Sequence, residues 1–94
     1  MQPGSDEAAH LERLQAELIR HGLDARLVTR RNRSHLRVAN RAIPELNERV
    51  LCWRAEDQGW CFWWPWKRPI GSVDDLGTVI SKITAVLRSV EGQS

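Results

Sequence analysis

Three kinds of side chain in this sequence could carry chemistry: two cysteines, three histidines and a run of arginines close to tryptophans. Cys52 and Cys61, with His35, supply the donor types of a zinc site, where thiolate sulfur and imidazole nitrogen surround the ion. The spacing does not support such a site. No H-x-x-x-H, H-E-x-x-H or C-x-x-C occurs, and His10, His21 and His35 stand alone. Neither cysteine has a neighbour that would hold it as a reactive thiolate, so both read as small packing side chains, expected on one face of the same hairpin. A G-x-S-x-G elbow and a phosphate-binding glycine loop are also missing. Asp74-Asp75 resembles a carboxylate pair, but at a helix start it serves the positive end of the helix dipole. The residues predict no catalytic group, no metal site, no cofactor, and a chain that is not an enzyme.

Arginine and tryptophan point instead to binding. Arg26, Arg30, Arg31, Arg33, Arg37 and Arg41 occupy residues 26–41 without an acid, while the remaining 8 basic residues face all 12 acidic ones. The net charge of +2 hides that asymmetry. Arginines can neutralise phosphates and an exposed indole can stack on a base. The same types on a half-apolar surface also make a protein-interface hot spot, and exposed apolar patches mark contact sites. Two partners therefore stay open. One is a protein, with a second copy of this chain as the simplest case. The other is nucleic acid, held by a basic patch of Arg26, Arg30, Arg31, Arg33 and Arg37. The basic-Gly-aromatic signature of RNA-recognition motifs is absent, and the element order differs from theirs.

The elements that must position these groups are organised around VLCWRAEDQGWCFWWPW, Val50 to Trp66, which holds all five tryptophans and the only phenylalanine. Strand-forming runs flank Glu56-Asp57-Gln58-Gly59, which predicts a β-hairpin. With Ala55 opposite Trp60, Trp53 faces Phe62 and Leu51 faces Trp64, and this side, with Trp66, becomes core. Val50, Cys52, Arg54, Cys61, Trp63 and Pro65 then fall on the other side. Of these, Val50, Cys52, Arg54, Cys61 and Trp63 are the expected protein interface. Pro65 cannot donate to a ladder, so its strand belongs at the sheet edge.

Upstream, Ala8, Leu11, Leu14, Leu18 and Ile19 form a helical stripe from a Ser5 cap to Gly22. Residues 24–30 and 34–40 alternate around Arg31-Asn32-Arg33, predicting another hairpin. Downstream, Ser72 and Asp75 make an S-x-x-D capping box before Val73, Leu76, Val79, Ile80, Ile83, Val86, Leu87 and Val90, with Gly92 beyond. Gly77 inside that helix is read as allowing close contact with the sheet. The expected fold is α+β in the order α-β-β-β-β-α: a two-layer sandwich, with a four-stranded antiparallel meander carrying two helices on one face. Ninety-four residues suit a single domain, with residues 1–5 and 92–94 as disordered tails. No apolar run spans a membrane, no leader pattern opens the chain, and the expected location is cytoplasmic.

The segment FWWPWKRPIGSVDDL (Phe62 to Leu76) and the helix after it resemble a group of small uncharacterised actinobacterial proteins. In that group a Trp-x-Trp strand precedes a Pro/Ile turn and an Asp-started C-terminal helix; Trp64, Trp66, Ile70, Asp74 and Asp75 carry the match. The resemblance implies no established activity, although such proteins often look like partners of helix-turn-helix regulators. The layout is also similar to the type III secretion chaperone-like fold, whose members bind other proteins and dimerise. This chain lacks the helix those chaperones insert between strands. The expectation is a protein-binding accessory domain, with nucleic-acid binding through the first hairpin as the alternative.

Overall fold

A computed structural model of the chain describes residues 5–31, 33–57 and 59–88. The order is α1 (Ser5–Arg20), β1 (Leu23–Arg30), β2 (Arg33–Asn40), β3 (Asn47–Ala55), β4 (Gly59–Trp63), β5 (Pro69–Ser72) and α2 (Leu76–Val86). The fold is α+β, and the strands form one antiparallel meander in the order β1-β2-β3-β4-β5. There are five strands rather than the four expected.

The extra strand arises where Pro65 was placed inside a strand. β4 stops at Trp63, and Trp64 to Arg68 reverse the chain, with Trp64 N–H donating to Arg68 O at 2.8 Å and Lys67 N–H donating to Trp64 O at 3.0 Å. Lys67 takes a left-handed φ of 65° there. Pro65 thus lies in a turn, where its missing N–H costs no ladder bond. The sheet edge falls to β5, which opens on Pro69. Ile70, skipped by the pairing between Phe62↔Gly71 and Trp63↔Pro69, sits in a bulge and is buried.

Both helices cover the same sheet face. Leu11, Leu14 and Leu18 of α1 and Val79, Ile80 and Ile83 of α2 join Leu36, Val38, Val50, Cys52, Phe62 and Ile70 in a single buried cluster. Ile19, expected on the α1 stripe, is instead 45% exposed. Asp75, not Ser72, caps α2, its carboxylate accepting from Thr78 N–H at 3.4 Å. Ser72 ends β5, and its hydroxyl accepts from Asp74 N–H at 3.1 Å, tightening the turn before the helix. Val86 is exposed, so the α2 stripe narrows to Val79, Ile80, Ile83 and Leu87. The close approach assigned to Gly77 belongs to Gly71. A Cβ at Gly77 would meet nothing within 4 Å, whereas one at Gly71 would lie 2.9 Å from Val79 Cγ2. Ser5 is the first residue of α1, and Gly22 closes it with φ 92°. Of the tails expected at 1–5 and 92–94, Ser5 belongs to α1, while residues 1–4 and 92–94, with Val90, lie outside the described residues.

Asn40 ties three segments together. Its Nδ2 donates to Leu87 O at 2.8 Å, and its Oδ1 accepts from the N–H groups of Ala42 and Ile43 at 2.8 and 2.9 Å. No helix among the described residues is long and apolar enough to cross a membrane.

Candidate binding face

The β3–β4 register decides what the bare sheet face presents. Ala55 pairs with Gly59, not Trp60, so Cys52 faces Phe62, Trp53 faces Cys61 and Leu51 faces Trp63. Gly59, with φ 73°, ends the turn and begins the strand. This one-residue slip reverses β3 relative to the expectation. Val50 and Cys52, predicted for the interface, are 0% and 1% exposed beneath the helices. Arg54 pairs with Trp60, on the helix side, and is exposed. Trp53 and Trp66, predicted for the core, are 37% and 53% exposed. β4 keeps its expected sides, with Phe62 in the core and Cys61 and Trp63 turned to the other face, but Cys61, predicted for the interface, is only 3% exposed there, covered rather than open. The two cysteines are therefore on opposite faces of the sheet.

With β3 turned, the bare face acquires a continuous pattern. Arg26 pairs with Arg37, and Arg37 pairs with Arg49, which sets three arginines side by side across three strands. Val28 pairs with His35 one step along; the β2–β3 ladder ends at Leu36↔Val50, and beyond it Leu51, paired with Trp63, lines a common cleft with His35. Arg30 pairs with Arg33 beyond them, close to Trp53. Arg26, Arg30, Arg37 and Arg49 make no ion pair among the described residues, where the two salt bridges are Arg20–Glu17 and Arg41–Asp24.

The indoles of Trp53 and Trp63 stack at 4.6 Å with planes 10° apart. The Trp63 Nε1–H is buried and has no hydrogen-bond partner among the described residues. Trp60, on the helix side, meets His10 of α1 at 5.2 Å. An open cleft of about 410 Å³ is lined by Arg30, His35, Arg37 and Arg49, with Val28, Asn47 and Glu48. A second, of about 780 Å³, shares Arg30, His35 and Arg49 with it and extends to Arg31, Arg33 and Trp53.

The electrostatics follow from that crowding. Burial, then the guanidinium groups of Arg49, Arg30 and Arg37, hold the His35 imidazole below its usual range. Burial pushes the Cys52 thiol up to about 12, helped by the Glu7 carboxylate and by Cys61, so this sulfur is inert near neutral pH. Burial raises the Cys61 thiol as well. Among the described residues no group of three His, Cys, Asp or Glu could hold a metal ion.

All five predicted basic residues are exposed. Arg26 and Arg37 belong to the cross-strand row, Arg30 and Arg33 form the next pair, and Arg31 sits at the hairpin tip with φ 51°. Arg49 was missed, together with the roles of Leu51 and Trp53, because all three change face with the β3 register. No protein family, curated protein or solved structure matches the chain.

Proposed function

We propose that this chain is a non-enzymatic accessory domain that binds a partner protein, and that its bare sheet face takes an acidic segment of that partner. The row Arg26–Arg37–Arg49 carries the reading. Like charges directly opposite one another in a sheet oppose folding, and this row makes no ion pair among the described residues. A carboxylate-bearing segment would supply one, with bidentate geometry at each guanidinium. The stacked Trp53–Trp63 pair, beyond Leu51 on the same face and sharing a cleft with Arg49 through Trp53, offers the aromatic anchor common at interface hot spots. A cytoplasmic setting suits a pair of thiols that lie on opposite faces.

A second copy of the chain is a poorer occupant where the two-fold axis crosses the arginine row, because that pairing would set one row against another. The second reading is single-stranded nucleic acid. One observation favours it: an indole stack sharing a cleft with Arg30, Arg33 and Arg49, which make no ion pair among the described residues, the combination on which bases and phosphates are held.

Tryptophan fluorescence and calorimetry on the full chain separate these readings. The probes are an Asp/Glu-rich peptide and a mixed-sequence single-stranded oligonucleotide. The proposal expects saturable binding of the peptide, weakened by salt and lost in Arg37→Gln/Arg49→Gln. Tighter binding of the oligonucleotide would replace it by the second reading. Binding of neither would overturn both.

A further inference from the structure

We infer that the cleft at His35 is a discrete site for a phosphate monoester dianion, formed by Arg30, Arg37 and Arg49. The inference rests on the reading of the bare face as an anion-binding surface and names the group held most tightly there. Three observations carry it. First, the three guanidinium groups come from three adjacent strands yet line one cleft of about 410 Å³, which fits a phosphoryl group and a small attachment better than a duplex. Second, their charge is uncompensated, since none makes an ion pair among the described residues and Glu48 is the one carboxylate lining the cleft. Three cations against one acid leave an excess that a dianion matches better than a single carboxylate or a phosphodiester. Third, the donors suit a tetrahedral oxyanion: guanidinium forks bind phosphate oxygens in pairs, and the His35 imidazole adds a further polar group to the lining, whereas the Asn47 amide already donates to Pro44 O and Glu45 O.

The charged groups around His35 are Arg30 on β1, Arg31 at the β1–β2 turn, Arg33 and Arg37 on β2, and Arg49 on β3, with carboxylates Glu7 and Glu48. A bound dianion would reverse the local field and favour the imidazolium, making His35 a reporter of occupancy. The shared chemistry is the monoester; it could belong to a phosphorylated side chain of the partner or to a free small molecule.

The test follows the His35 ring by NMR while pH is varied, in inorganic phosphate or in sodium chloride at equal ionic strength. The chloride arm removes the effect of screening alone. Phosphate should raise the His35 titration midpoint by roughly half a unit to one unit above chloride, saturably. Arg37→Gln/Arg49→Gln should weaken phosphate binding about tenfold, with its thermal unfolding checked so that a folding defect is not mistaken for loss of the site. Equal midpoints in phosphate and chloride, or an unchanged response in the folded variant, would overturn the site. If phosphate fails while the Asp/Glu-rich peptide still binds, the inference falls and the proposed function stands; if neither binds, both fall. Competition by a phosphoserine peptide against its unphosphorylated twin, and by a free sugar phosphate, assigns the source.

Discussion

Arg37 lies between Arg26 and Arg49, so it meets a like charge on both sides. Each such opposition costs a few tenths to about 1 kcal/mol. Arg37→Thr keeps a strand-forming residue and relieves both contacts. It should raise the unfolding free energy by roughly 0.5–1 kcal/mol in urea titration while weakening the acidic peptide. Loss of stability together with binding would mean that the row supports the fold rather than a partner. His35 makes a second prediction at this scale. Its folded titration midpoint lies below the ordinary value of 6.5, so the unfolded chain takes up the proton first. The stability it contributes is complete above pH 6.5 and is lost as pH falls from there through the folded midpoint. Glu7 acts in the opposite direction: burial raises its midpoint above 4.5, so its contribution is present below 4.5 and lost as pH rises through the folded midpoint. The test is therefore a comparison of variants, in which His35→Gln should show a smaller fall in Tm from pH 7 to 5 than the parent chain.

Among the elements, β5 and α2 meet through a glycine. Methylating Gly71 would place carbon 2.9 Å from Val79 Cγ2, and Val is too stiff at χ1 to swing away freely. Gly71→Ala should destabilise by about 1–3 kcal/mol through overpacking, whereas Gly77→Ala, in open space on α2, should stabilise by up to about 1 kcal/mol. The reverse ranking, measured by chemical unfolding, would mean that α2 does not sit against β5 in this way. Both helices were legible from their stripes, because a 3.6-residue period has one solution along Leu11, Leu14 and Leu18. The first hairpin was legible too, from period-two alternation. The β3 face was not, because Val50 and Cys52 are as apolar in pattern as Leu51 and Trp53; hydrophobicity left two registers, and indole size favoured the wrong one. What fixed the register was the pairing of Ala55 with Gly59, a matter of turn backbone rather than side-chain character. β5 was hidden for a similar reason: Lys67 adopts a left-handed conformation that its residue type does not advertise. Asn40 had no signal at all, since its carbonyl partner on Leu87 is 47 residues away.

For the whole molecule, the decisive quantity is the sign of a salt effect. The net charge of +2 is small, so long-range steering comes from how charge is distributed. The arginine row faces one way, and the apolar cluster under the helices faces the other. Exposed charges interact over about 10 Å at 0.1 M salt, close to the width of three strands. An acidic segment on the bare face would therefore bind more weakly as salt rises. A symmetric dimer whose two-fold axis crosses the arginine row would oppose its own arginines, so salt would strengthen it by screening that repulsion. Sedimentation equilibrium of the chain alone, and calorimetry with the acidic peptide, at roughly 0.05 M and 0.5 M sodium chloride read the two signs separately. The expected result is a monomer at low salt and peptide affinity that drops between the two conditions. A dimer already stable at low salt, and abolished by Trp53→Ala, would show that the indole stack outweighs the arginines and that the face is built for its own copy.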